Sequence, residues 1–123
     1  MNQRQSFDLR HIEQGIPAIQ ARELEEFGLT RDDIRTIIPD RTLDRRISAR
    51  QNLTLDEADG IARLLRVIAA ARKLFENDDR ADQWLRSPNP ALSGAVPIRL
   101  ARTDVGGRAV EQVLGRLEYG IYS

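Results

Sequence analysis

Thr54-Leu55-Asp56-Glu57 has the spacing of a capping box, in which a Thr hydroxyl and a Glu carboxylate each satisfy the other's backbone N–H. It opens a helix predicted to run to about Glu76, some 30 Å at about 1.5 Å per residue. Apolar residues form two neighbouring stripes along it: Ala58, Ile61, Leu65, Ile68 and Phe75, and beside them Leu64, Val67, Ala71 and Leu74. One stripe suffices for a surface helix, so two make a wide apolar face. Either such a helix is central to the fold, or part of its face meets another chain.

The rest of the chain reads as short helices around this long one. Alternation of β-branched and polar residues is nowhere sustained for the length of a half-buried strand. Residues 1–14 are polar and without period, and are expected to form a flexible N-terminal arm. Pro17 opens a segment closing near Gly28, with Ile19, Leu24 and Phe27 on its apolar side. Thr30 is a candidate N-cap for a short helix to Ile37, with Asp32 and Asp33 in its first turn, where the helix dipole favours acids. Pro39 stops that helix, and Asp40 is placed to cap the next, over residues 41–50. Beyond Asn77 a short helix over 79–86 puts Ala81, Trp84 and Leu85 on one side. Ser87-Pro88-Asn89-Pro90 and Ser93-Gly94 turn the chain, and Pro97 to Ala101 make a helical turn. Thr103 caps a last helix over 104–118, with Val105, Ala109, Val113, Leu114 and Leu117 as its apolar face. Gly106 and Gly107 weaken its first turn, which implies close approach of another backbone. The expected fold is all-α: the arm over 1–14, a helix-turn-helix region over 15–53, and a helical region for dimerisation and partner binding over 54–123.

Composition narrows the functions. The 123 residues suit one domain or two small ones. No apolar run approaches the roughly 20 residues of a membrane span, and no signal segment is evident, so a cytoplasmic location is expected. The chain has no Cys and its one His, His11, lies in the polar arm, which argues against a metal site. Asp32-Asp33 and Asp78-Asp79 fall where helix starts want negative charge, and no nucleophile, base and orienting group assemble, so no enzyme, cofactor or catalytic residue is expected. With 19 basic and 19 acidic side chains the net charge is zero, against a wholesale nucleic-acid binder but not a local patch.

One patch stands out. Residues 17–50 have the layout of a helix-turn-helix, whose second helix enters the major groove. Residues 41–50 carry Arg41, Arg45, Arg46 and Arg50 against Asp44, a local +3. Leu43 and Ile47 face inward; Arg41, Arg45 and Ser48 face away, flanked by Thr42. Arg41 and Arg45 are the candidates for groove contact, because Arg pairs bidentately with guanine edges. Arg46 and Arg50 lie at the border, suited to phosphates or an acidic neighbour. The same pattern also suits a structural bundle with solvated arginines.

The stretch Trp84-Leu85-Arg86-Ser87-Pro88-Asn89-Pro90-Ala91-Leu92-Ser93-Gly94-Ala95-Val96-Pro97, with Thr103-Asp104-Val105-Gly106 and the end Tyr119-Gly120-Ile121-Tyr122-Ser123, resembles the toxin-binding domain of Xre/MbcA/ParS-type antitoxins. There a W-L-x-x-P-N-x-x-L-x-G-x-x-P motif precedes a T-x-x-G helix and a Y-G-V-Y-like tail. Arg41-Thr42-Leu43-Asp44-Arg45-Arg46 resembles the R-T-L-x-R-R segment of the same family's helix-turn-helix. The resemblance covers about residues 15–123. It implies a type II antitoxin whose partner is a RES-domain toxin acting on cellular NAD, by degradation or ADP-ribosyl transfer. Its C-terminal region would lodge at the toxin's active-site entrance, with Trp84, Asn89, Arg116, Tyr119, Gly120, Ile121, Tyr122 and Ser123 as toxin contacts. Many members also bind their own promoter, which makes Arg41, Thr42, Arg45, Arg46, Ser48 and Arg50 the operator-binding set.

Tyr119, Ile121 and Tyr122 are themselves of the kind that anchor interfaces, although they could instead fold back on the last helix. The Ser123 carboxylate and Tyr122 hydroxyl would suit polar groups that hold the toxin's nucleotide. A homodimer through the helix 55–76 or its neighbours is expected, and a larger assembly with the toxin. The competing readings are a stand-alone helix-turn-helix regulator with a C-terminal dimerisation domain, and a structural helical adaptor.

Overall fold

The computed structural model describes residues 15–120; the arm over 1–14 with His11, and Ile121, Tyr122 and Ser123, lie outside the described residues. Within them all regular structure is helical, as expected, apart from one isolated bridge between Pro17 and Asn52. The chain divides into two compact units, 1–62 and 63–123, and the boundary falls inside the longest helix.

In the first unit, the segment after Pro17 is two short 3-10 helices, Ala18–Glu23 and Glu25–Phe27, rather than one regular helix. Neither has a side-chain cap, and Gly28 ends the second in the left-handed region at φ 89°. The expected apolar side needs a correction. Ala18, Ala21 and Leu24 are buried, whereas Ile19 is 45% exposed, because three residues per turn place buried positions differently from 3.6.

Helix α1, Arg31–Arg35, starts at Thr30 with a full capping box: Asp33 N–H donates to the Thr30 hydroxyl at 3.2 Å, and Thr30 N–H donates to the Asp33 carboxylate at 2.9 Å. These bonds let Asp33 lie buried. Helix α2, Asp40–Ser48, begins one residue earlier than expected. Its N-cap is Pro39 and Asp40 makes no cap, because its carboxylate is taken by Arg35 at 2.7 Å. Leu43 is buried, and α2 packs on the Ala18–Glu23 helix.

Helix α3, Leu55–Phe75, has the expected Thr54/Glu57 capping box, with bonds of 2.8 and 3.1 Å. Both apolar stripes are buried from Ala58 to Ala71, and Leu74 and Phe75 are half-buried. Gly60 is a contact point: a Cβ there would lie 2.8 Å from Ile37 Cγ2.

In the second unit, α4 (Asp78–Leu85) is capped by Asn77, which accepts from Arg80 N–H at 2.9 Å. A 3-10 turn, Pro90–Leu92, a short α5 (Pro97–Leu100) and α6 (Asp104–Glu118) complete it. Helix α5 packs against α4 and α6. Val110, Val113 and Leu114 supply the buried side of α6. Val105, expected on that side, is 78% exposed, since the first turn of α6 is buried through Gly106 and Gly107 instead. The close approach implied there is present: a Cβ on Gly106 would lie 1.9 Å from the Leu100 carbonyl oxygen.

Candidate functional site

Helix α2 presents the basic surface. Its acidic residues are each held by an arginine from another segment. Asp44 pairs with Arg22, and Asp40 with Arg35 at 2.7 Å and Arg31 at 3.7 Å. The Arg35 guanidinium, donating to Asp40, holds that carboxyl below the usual carboxylate range against the opposing effect of burial. Arg41 and Arg45 are exposed and have no ion pair among the described residues. Ser48 is exposed beside them and Thr42 is half-buried.

Arg46 differs. It donates to Glu57 in a pair whose side chains are 17% and 14% exposed. Burial pushes the Glu57 carboxyl up, but the Arg46 guanidinium and the Thr54 N–H outweigh it, so the net shift is downward. Arg46 therefore ties α2 to the start of α3. Arg50, in the left-handed region at φ 54°, lines a recess with Pro17, Ala18, Ile19, Ile47 and Gln51.

The second candidate surface belongs to the other unit. Trp84 is half-buried and stacks at a tilt on Phe75, ring centroids 6.0 Å apart. Asn89 closes its loop: the side chain accepts from Ala91 N–H at 2.9 Å, and its backbone N–H donates to Ala95 C=O at 3.0 Å. Both residues thus shape the unit from within. Arg116, Tyr119 and Gly120 are exposed at the end of α6, Tyr119 at 77% and Gly120 at φ 66°.

Arg63 is a positioning residue that sequence reasoning missed. Its Nε donates to Ala101 C=O and its Nη2 to Arg102 C=O, both at 2.7 Å, which satisfies carbonyls at the end of α5. Its stem lies against Gly107, where a Cβ would come within 2.7 Å of Arg63 Cδ. The Gly-Gly pair was the available signal, since it required a close neighbour without saying which.

Among the described residues, no helix is long and apolar enough to cross a membrane, and no group of three His, Cys, Asp or Glu could hold a metal ion.

Compared with known proteins, residues 70–120 match the family model of the antitoxin Xre/MbcA/ParS C-terminal toxin-binding domain. The chain is similar to an antitoxin Xre of Pseudomonas putida, 36% identical over 110 residues, covering 89% of this chain and 69% of the relative. A second antitoxin Xre, from Photorhabdus laumondii, is 33% identical over 116 residues, covering 91% and 78%. A Prs ADP-ribosylating antitoxin of a Sphingobium species is 24% identical over 91 residues, covering 67% and 57%.

Proposed function

Since the chain belongs to the Xre/MbcA/ParS antitoxin family, with a toxin as its partner, we propose that it neutralises a RES-domain toxin acting on NAD by covering the toxin's active-site entrance. The observation that carries this reading is where the toxin-binding match ends. It closes at residue 120, just past the end of α6, where Tyr119 stands 77% exposed. An aromatic ring left in water there gains from being covered by a partner. Arg116, Tyr119 and Gly120, with Ile121, Tyr122 and Ser123, form the inhibitory end, and Trp84 and Asn89 hold the surface that presents it. The name of the Sphingobium relative couples an antitoxin with ADP-ribosylation, which supports a partner that handles ADP-ribose. In this reading the chemistry belongs to the toxin and takes place in the cytoplasm.

The proposal extends to DNA. Helices α1 and α2 form the helix-turn-helix, and the chain represses its own operon as a homodimer. Two exposed arginines, Arg41 and Arg45, on a helix whose acids are engaged elsewhere favour this use. Thr42, Ser48 and Arg50 would flank the groove contacts, and Arg46 would act by fixing α2.

Co-expression with the toxin tests the first part. The full chain should rescue growth, and a chain lacking residues 119–123 should not, while its helical circular dichroism stays unchanged. A truncated chain that still rescues would overturn the assignment of the inhibitory end.

A further inference from the structure

Three glycines lie within α6, and the fold accounts for only two. A Cβ on Gly106 would strike the Leu100 carbonyl, which requires Gly there, and one on Gly107 would press on the stem of Arg63, which would have to move. Around Gly115 nothing among the described residues lies within 4 Å of where a Cβ would stand. It lies in the last turn of α6, where Gly still costs up to about 1 kcal/mol against Ala, and no contact among the described residues requires it.

At about 100° per residue, Val105, Arg108, Gln112, Gly115, Arg116 and Tyr119 share one face of α6, an arc of about 100° opposite Val110 and Leu114. Gly115 is half-buried and the other five are exposed. Val105 and Tyr119 stand at the two ends, 78% and 77% exposed. Arg108 is paired with Asp104 at 2.6 Å, and Arg116 has no ion pair among the described residues. Every one of these residues falls within the matched toxin-binding segment.

We infer that this face of α6, over its whole length from Val105 to Tyr119, is a docking surface for the toxin, with closest approach at Gly115, where a backbone segment of the toxin packs directly on the helix. The inference rests on the proposed reading and extends it from residues 116–123 to about three further turns of helix. Gly115 is to the complex what Gly106 is to the fold: a position left without a side chain so that another backbone can fit. The toxin surface it meets takes apolar contact at both ends and offers an acceptor to Arg116.

The test is to measure stability and toxin affinity on the same variants. Gly115→Ala and Gly115→Gln, made in the full chain, are titrated against the toxin encoded beside it, carrying a substitution that abolishes its activity. Urea unfolding of the free chain should show both variants at least as stable as wild type. Affinity should fall with side-chain size, by about tenfold or more for Gln, as overpacking at a close contact requires. Unchanged affinity in both variants, with wild type binding normally, overturns the inference and leaves the proposed function standing. Failure of the wild-type chain to bind that toxin overturns both. Variants that alter the sedimentation mass of the free chain but not its toxin affinity also overturn it, because the face then meets a second copy.

Discussion

Replacing Gly106 by Ala should destabilise the second unit, although Ala is the better helix former. Gly106 stands in the first turn of α6, where its N–H donates to the Thr103 hydroxyl at 3.0 Å. An added Cβ would lie 1.9 Å from the Leu100 carbonyl oxygen, 2.8 Å from the Leu100 carbonyl carbon and 2.9 Å from the Thr103 hydroxyl. An ordinary close carbon–oxygen contact is about 3.3 Å, so one backbone must give way by more than 1 Å. Overpacking of this kind costs about 1–3 kcal/mol, and a displaced Thr cap about 1 more. Against that, Ala recovers about 1 kcal/mol of helix propensity. The net expectation is a loss of about 1–3 kcal/mol. Gly115→Ala in the same helix has the propensity gain and meets no clash among the described residues, so it should add up to about 1 kcal/mol. Urea unfolding followed by the fluorescence of Trp84, the only Trp, reads the second unit directly. If the two alanines moved the midpoint in the same direction, the account of α6 packing would be wrong.

Other perturbations separate the two units. Arg45→Ala should weaken binding to operator DNA and reduce its salt dependence by about one counterion, measured by titrating DNA at several salt concentrations, while toxin rescue persists. Arg63→Met should cost about 2–3 kcal/mol on the Trp84 signal, because it leaves the Ala101 and Arg102 carbonyls without their charged donor. Glu57 has a lowered carboxyl pKa in the folded chain, so as pH falls the unfolded chain takes up the proton first. Its stabilising contribution is complete above the ordinary value of 4.5 and is lost as pH drops through the lower folded value. Thermal unfolding from pH 7 to pH 3 should therefore show wild type losing more stability than Glu57→Gln, and equal losses would remove the pair from the account.

How much of this was legible beforehand depended on the range of each interaction. The helix starts at Thr30, Thr54 and Thr103 could be placed because a cap is a bond between residues three apart, whereas the Asn77 cap emerged only from the structure. Both stripes of α3 could be read for the same reason, since periodicity is local. The segment after Pro17 could not be resolved into two 3-10 helices, because the spacing that separates 3.0 from 3.6 residues per turn is small over six residues. Asp40 looked like a cap from its position before a basic helix, yet Arg35 takes its carboxylate, a choice made by the turn between α1 and α2. Val105 was assigned to the core because it is apolar, and only the burial of the adjacent glycines shows why it faces outward. Of the surface arginines, sequence could separate Arg41 and Arg45 from Arg46 by helical phase, but the partner of Arg46 lies eleven residues away in another helix.

The bridge between Pro17 and Asn52 joins the two ends of what lies between them. Leu53 N–H donates to Ile16 C=O at 2.8 Å and Ala18 N–H to Gln51 C=O at 3.0 Å, so residues 16–53 leave and return at one point. A closed excursion of this kind can be exchanged as a cassette without altering the path of the chain into α3. Variation could then rewrite the arginines of α2, and with them the proposed operator contact, while the toxin surface proposed for the other unit kept its own sequence; in α3, positions that meet the excursion, such as Glu57 and Gly60, would have to follow. On the proposed reading, the choice of operator and the choice of toxin are free to change at different rates.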